Sequence, residues 1–337
     1  MSTKQPEYSG AGWALHNSDC IEGMEAMPQD SVDCAIFSPP FGSLFTYSDS
    51  ERDLGNAGDG AKFINQYMFF ARALTRVMKP GRITCVHCTD LPMRKGRDGA
   101  IGLQDFSGDL IRAHTDAGMI YHGRVTIWKD PVVEMQRTKA LGLLHAQIRK
   151  DSAMNRVGMP DYMLFFRKDG IAPNKIEHAA HGRDDAGAHI TIARKWLEHM
   201  RKEGLCRDVP DDAVLAELLK HVEFDVMEWQ KLASPVWMNI DQGKVLNGYR
   251  GARTLDDERH VCPLQLDTIE KCLRLYSKPG DVVMDPFNGV GSTGYMAIKQ
   301  LRRYIGFELK PEYAEMAGRN LAMAEAEARD LFAFAAE

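Results

Sequence analysis

Short buried-looking runs alternate with amphipathic stretches along most of this chain. Residues 31–37, SVDCAIF, read as a buried strand. In residues 61–81, Phe63, Ile64, Met68, Phe69, Ala73, Leu74, Val77 and Met78 recur at helical spacing, and Lys79-Pro80-Gly81 predicts the stop. RITCVHC (82–88) then reads as a strand, FSGDLIRAHTDAGM (106–119) as a helix and IYHGRVTIW (120–128) as a strand. DYMLFFRKDG (161–170) is a strand running into a turn. The pattern returns with the helix PLQLDTIEKCLRLYS (263–277), a second Lys-Pro-Gly stop at 278–280, and the strand DVVMDPF (281–287). The helix STGYMAIKQLR, the strand RYIGFEL (303–309) and an Ala/Glu-rich final helix complete it. Helices alternating with buried strands predict an α/β fold, a mostly parallel sheet covered by helices.

Between 171 and about 235 the pattern changes. Strands vanish, five histidines and many charges appear, and ITIARKWLEHMRKEG and DDAVLAELLKHVEFDVMEWQKLA read as amphipathic helices. The chain thus divides into 1–170, an inserted segment 171–258, and 259–337, with both outer parts belonging to one core.

Composition adds bounds. At 337 residues, the chain can hold one large α/β domain with an insertion, and 44% hydrophobic with 26% charged residues is ordinary for a soluble globular protein. No apolar run approaches the ~20 residues a membrane span needs. The opening MSTKQPEYSG lacks signal-peptide character, and seven scattered cysteines fit a reducing cytoplasm. The net charge of −5 is unevenly spread. Residues 137–156 carry Arg137, Lys139, Arg149, Lys150 and Arg156 against the single acid Asp151; Arg94, Lys95 and Arg97 form a second cluster, and the tail from Pro311 is acidic. A basic face for a polyanion is compatible with this; so is ordinary solvated charge.

The strongest chemical signal is DVVMDPFNGVGSTGYMAIKQLRRYIGFEL. A buried strand ends in Asp285, a loop holds Gly289 and Gly291, and Ser292 and Thr293 open a helix. Glycines let backbone approach a ligand, and a helix N-terminus aims free N–H groups at it. The next strand ends in Glu308, 23 residues after Asp285, where an acid can accept both hydroxyls of a ribose. Gly289, Gly291 and Gly294 match G-x-G-x-x-G, for which NAD is the default. The acid and proline before the loop fit better with a cofactor bearing a cationic ammonium and no pyrophosphate, which S-adenosylmethionine is. The other strand end reads Ser38-Pro39-Pro40-Phe41, a stiff exit that cannot extend a sheet. Alone it reads as a turn.

Together these motifs resemble the amino-group DNA methyltransferases. DPFNGVGST with GFELKPEY resembles their cofactor motif, and SPPF their catalytic tetrapeptide. The catalytic motif comes first, as in the permuted β group, whose opening NSDCIEGMEAMPQDSVDCAIFSPPF also resembles; RHVCPLQLDTIEKCLRLYSKPGD resembles the lead-in, with Val261-Cys262 standing between His260 and Pro263. The resemblance covers 14–170 and 259–325 and implies a Rossmann-like, S-adenosylmethionine-dependent methyltransferase sheet with helices on both faces. It implies a catalytic part in 1–170 and a cofactor-binding part in 259–337; the mainly helical segment 171–258, which lies outside the resemblance, is expected to be an inserted target-recognition segment. The resemblance implies cofactor contacts at Asp19, Cys20, Asp285, Phe287, Gly289, Gly291, Ser292, Thr293 and Glu308. Ser38 and the Pro39 carbonyl would accept the two N–H groups of an exocyclic amine, Pro40 would stiffen the exit, and Phe41 would stack on a base flipped out of double-stranded DNA. Tyr47 would line that pocket, while Arg137, Lys139, Arg149, Lys150 and Arg156 would hold the backbone. The resemblance further implies a homodimer in a bacterial or phage-infected cytoplasm, at the nucleoid.

N6-adenine is slightly favoured over N4-cytosine as target. RNA-base or protein-glutamine methylation, a non-catalytic nucleic-acid-binding module of the same fold, and an NAD oxidoreductase are the rival readings. Cys85-Val86-His87-Cys88 has metal-like spacing but sits in a predicted buried strand, so core thiols are the expectation, with no metal site. His178, His181 and His189 read as loop histidines, and Trp128, Trp196, Trp229 and Trp237 as core or as stacking surfaces.

Overall fold

The computed structural model describes residues 5–40, 60–93, 96, 99, 102–138, 145–154, 157–179, 186–247 and 263–334. Along them run β1 (Tyr8–Gly10), β2 (Trp13–Asn17), β3 (Val32–Phe37) and β4 (Met78–Cys88), then β5 (Leu91–Met93) and β6 (Gly102–Gln104). β7 (Met119–Ile127), β8 (Asp161–Lys168), β9 (Val236–Trp237), β10 (Val282–Asp285) and β11 (Arg303–Glu308) follow. One sheet takes the order β1-β2-β11-β10-β3-β4-β8-β7-β9, and β5 and β6 pair apart from it. The five strands β2, β11, β10, β3 and β4 are parallel neighbours, so their carboxyl ends share one edge. The sheet is mixed: β8 is antiparallel to both β4 and β7, and β1 to β2.

Alternation along the central strands feeds two cores. Ala35, Phe37, Leu164, Phe166 and Met284 face the helices Cys20–Ala26, Gly60–Val77 and Phe106–Asp116. Cys34, Ile36, Met163, Phe165 and Val283 face the helices Leu266–Tyr276, Ser292–Lys299 and Pro311–Phe334. A strand sends residues three apart to opposite faces, so Cys85 packs in the second core and Cys88 in the first. Their spacing therefore cannot present both thiols to one ion.

The structure departs from the sequence pattern in three places. The predicted stop at 79–81 lies inside β4, which starts at Met78. β4 pairs Met78 with Val32 and Ile83 with Cys34, and the extra residues bulge outward, with Gly81 at φ +72°. That bulge turns Lys79 (2.7 Å) and Arg82 (3.3 Å) onto the buried carboxylate of Asp33, while Arg82 also reaches Asp281 at 3.3 Å. The predicted helix 211–233 is two helices, Asp211–Val222 and Val226–Leu232. Asp225 caps the second by accepting from Glu228 N at 2.6 Å. The sequence pattern also passes over β1, β2 and the helix Cys20–Ala26.

The helices Ala186–Lys202 and Asp211–Val222 build a small core of their own around Trp196, Met200, Val214 and Leu218. They meet the sheet at its amino end. His199 lies 3.3 Å from Asp281 and Glu203 pairs with Arg303, beside the first residues of β10 and β11. Trp237 of β9 then joins the sheet edge against Ile127.

Candidate active site

The carboxyl edge gathers the predicted residues strand by strand. β2 ends at Asn17, which pairs with Glu308, and its amide donates to the Glu308 carbonyl at 2.8 Å. Two residues on, Asp19 caps the helix Cys20–Ala26, accepting from Ile21 N (2.8 Å) and Glu22 N (3.1 Å). Cys20 is buried in the first core, where burial and the Asp19 charge raise its thiol well above the usual range. Its side chain reads as packing.

β10 ends in Asp285, 5% exposed, whose carboxylate accepts from Phe287 N at 2.9 Å. Burial, helped by the charge of Glu308, pushes this carboxyl up to about 7, against the opposing pull of the Phe287 N–H. The loop beyond it is held from several sides. Glu308 Oε2 accepts from Gly289 N at 2.7 Å and Oε1 from Lys310 N at 2.9 Å. Asn288, which the sequence reading passes over, bonds the Phe307 carbonyl through its backbone and accepts from the Tyr304 hydroxyl at 2.6 Å. Gly289 and Gly291 have φ of +53° and +88°. A methyl group on Gly289 would meet only open space, so that face is an open cradle rather than a packed one. One on Gly294 would strike Leu321 and Tyr304 at 2.5 Å, which assigns the third glycine to packing. Ser292 Oγ is buried without a hydrogen-bond partner among the described residues. Phe287 is half-buried, its ring against Phe70 (4.8 Å) and Phe37 (5.7 Å).

β3 lies beside β10, with Val283 opposite Cys34 and Met284 opposite Ala35. The Thr293 hydroxyl donates to the Ile36 carbonyl at 3.2 Å, tying the glycine loop's helix to the strand that delivers Ser38. Ser38 and Pro40 are half-buried and Pro39 buried; Phe41 and Tyr47 lie outside the described residues. Ser38 Oγ stands 3.2 Å from His87 Nδ1 and 3.4 Å from the His87 carbonyl. His87 Nε2 in turn lies 3.3 Å from Asp161 Oδ2, an ion-pair distance rather than an in-line hydrogen bond, and Lys129 Nζ lies 2.5 Å from Oδ1. Asp161 is 3% exposed. Burial alone would raise its carboxyl, but His87 and Lys129 outweigh it and hold it down to about 2. The sequence reading places His87 among core thiols and gives Asp161 no role. A polar residue one place from the end of a buried strand is the available signal.

The excursion 128–160 leaves β7 and returns to β8 at the same edge, because those strands are antiparallel and Ile127 pairs with Asp161. Arg149 and Lys150 are exposed on the helix His145–Lys150, and Arg137 lies in the helix Pro131–Thr138. Lys139, Arg156, Arg94, Lys95, Arg97, His181 and His260 lie outside the described residues. Trp128 is 42% exposed at this edge and Trp229 is 53% exposed, while Trp196 and Trp237 are core. No group of three or more metal-ligating side chains occurs among the described residues, nor is any helix among them long and apolar enough to cross a membrane.

Residues 32–319 match the family N6_N4_Mtase, described as DNA methylase. The DNA adenine methyltransferase YhdJ of Escherichia coli (strain K12) is 39% identical over 227 residues, 65% of this chain and 77% of that protein. Type II methyltransferase M.Cfr9I of Citrobacter freundii is 33% identical over 92 residues, 25% of this chain and 31% of that protein. The fold is shared with TTHA0409 of Thermus thermophilus, solved in complex with S-adenosyl-L-methionine (TM-score 0.58, 20% identity, 92% of this chain and 93% of that one). It is shared too with the cytosine-N4-specific PvuII DNA methyltransferase (TM-score 0.57, 16% identity, 98% and 95%).

Proposed function

Because the chain belongs to the N6/N4 DNA methylase family, we propose that it transfers a methyl group from S-adenosylmethionine to an exocyclic amine of a base in DNA, N6 of adenine in preference to N4 of cytosine. The observation that carries this reading is the tie between β3 and β10. The Thr293–Ile36 bond ties the helix after the glycine loop to the strand that runs into Ser38, which supports one shared pocket. The residues present suit the cofactor. Asp285 is a buried carboxyl whose ionised form lacks a cation among its described partners, and the open face at Gly289 leaves room for a ligand against backbone. Ser292 Oγ adds a buried hydroxyl still to be satisfied. Asp285 would face the ammonium, and Glu308, already steadying the loop, would take the ribose. Bound there, S-adenosylmethionine supplies an electrophilic methyl.

The rest of the reading concerns this chain's own groups. An exocyclic amine is a poor nucleophile because its lone pair is delocalised into the ring. The Ser38 oxygen and the Pro39 carbonyl would accept its hydrogens and favour a pyramidal nitrogen, and the two prolines hold both acceptors in one geometry. The adenine preference is supported by the likeness to YhdJ. Serine at the first position of the tetrapeptide and the PvuII-like fold favour cytosine as the second reading. Incubating unmethylated genomic DNA with the protein and methyl-labelled cofactor, then identifying the labelled nucleoside, decides between them. Label in neither base overturns both.

The basic excursion would hold the DNA backbone outside this edge. Arg149→Ala and Lys150→Ala should each lower affinity on all DNA alike and reduce the slope of log affinity against log salt by about one unit. Binding titrations at several salt concentrations check this, and unaltered slopes would remove both residues from the interface. The helices 186–202 and 211–222 occupy the opposite end of the sheet. We infer that, within the inserted segment 171–258, sequence reading falls to the part after Trp237, a reading supported by the packing of Leu246 on Val290 and Tyr313.

A further inference from the structure

We propose that His87 and Asp161 are positioning residues that set the direction of the Ser38 hydroxyl, so that its oxygen and not its hydrogen meets the substrate amine. The inference rests on the reading of Ser38 given above. It starts from three side chains delivered by three strands: Ser38 after β3, His87 in β4 and Asp161 opening β8.

A hydroxyl has one hydrogen and two lone pairs, and a neutral imidazole has one N–H. Which ring nitrogen carries that hydrogen decides what Ser38 can do. Asp161 is held ionised by His87, whose Nε2 stands 3.3 Å from one carboxylate oxygen, and by Lys129, 2.5 Å from the other. A buried anion at that distance favours the hydrogen on Nε2. Nδ1 is then bare and accepts from Ser38 Oγ at 3.2 Å; the His87 carbonyl, at 3.4 Å, is the more distant acceptor. With its hydrogen turned inward, Ser38 presents both lone pairs outward, as an acceptor of the amine N–H must. In the opposite tautomer, Nδ1–H would occupy one of those lone pairs and leave the oxygen a single one for the amine, whether its hydrogen turns to the His87 carbonyl or outward.

Two substitutions separate this role from simple support of Asp161. In His87→Asn the amide oxygen can stand near the Nδ1 position and accept from Ser38, but the contact with Asp161 is lost. In His87→Gln the longer amide reaches toward Asp161 and leaves no acceptor at Nδ1. Single-turnover methylation of unmethylated genomic DNA with labelled S-adenosylmethionine gives the rate, and titrations give cofactor and DNA affinity. We expect H87N to keep the rate within about threefold and H87Q to lose about tenfold or more, the worth of one hydrogen bond realised in the transition state, with both affinities unchanged. The reverse order, two variants at the wild-type rate, or two variants that lose cofactor affinity along with rate would each overturn the inference. Ser38→Ala in the same assay separates the two readings. A fast S38A removes the reading of Ser38 itself, whereas a slow S38A beside a fast H87Q removes only the role of His87.

Discussion

Replacing Ser38 with alanine should slow methyl transfer about a hundredfold, the scale seen when a single group aimed at the transition state is deleted. Cofactor affinity should stay within about twofold, because the alcohol acts on the nucleophile and not on the methyl donor. The structure supports that separation. Ser38 is half-buried and its polar partners among the described residues are both on His87, while the two strands that would face the cofactor end in Asp285 and Glu308. Losing one oxygen removes little packing, and Pro39 and Pro40 keep the exit stiff whatever stands before them. Single-turnover rates beside calorimetric titration of S-adenosylmethionine test the split. An S38A protein with an unchanged rate would reduce the tetrapeptide to a turn.

Asp285→Asn should move stability and cofactor binding in opposite directions. The carboxyl is pushed up to about 7 by burial first and Glu308 second. Its unfolded value is about 4, so below that pH both states hold the proton and it costs nothing. As pH rises from about 4 to about 7 the unfolded chain sheds the proton first, and above about 7 the whole penalty is present. Asparagine keeps the shape without the charge. The cofactor-free D285N protein should therefore gain ~2–4 kcal/mol at pH 8 by denaturant titration, since each tenfold change in an ionisation constant is worth ~1.4 kcal/mol. The same change removes the partner of the cofactor's cation, and affinity should drop about thirtyfold or more for a buried charged hydrogen bond. Wild-type affinity should itself weaken, by up to about tenfold per pH unit, below pH 7, where binding must expel a proton, and D285N should lose that dependence. Tight binding by D285N with an intact pH dependence would take Asp285 out of the cofactor site.

The parts of this fold that are legible in the sequence are those where local pattern and burial agree. SVDCAIF, DVVMD and RYIGFE are apolar because both faces of a central strand are covered, and each predicted strand matches the observed one within a residue or two. β2 escapes notice because only Trp13 and Leu15 of its five residues are buried, too short an alternation to stand out. The break at Glu223–Asp225 is hidden because the apolar spacing continues across it; the capping bond from Asp225 and the bridge between Ala179 and Glu223 impose it. The antiparallel course of β8 is not written in its own residues at all, since an apolar run carries no direction. At the candidate site, Asp285 and Glu308 are legible because each terminates a buried strand, whereas Asp19, the cap of the helix Cys20–Ala26, is reached only through the family resemblance. His87 and Asp161 are not legible, because their meaning lies in a pairing of β4 with β8 that brings Cys88 opposite Tyr162. Asn288 likewise gains its meaning only from the Tyr304 hydroxyl across the loop.

The strand order also dictates when this protein can come into being during its own synthesis. β2 and β3 leave the ribosome early, yet they never touch; the two places between them belong to β11 and β10, made more than two hundred residues later. Until then the nascent chain carries two open strand edges in its centre, with Asp33 still awaiting the Val282 N–H that it accepts at 3.0 Å. Such edges invite pairing with other chains. A polypeptide ended before Val282 lacks the middle of its sheet, and with it both Asp285 and Glu308. Translation must therefore run almost to its end before the enzyme's central scaffold can close.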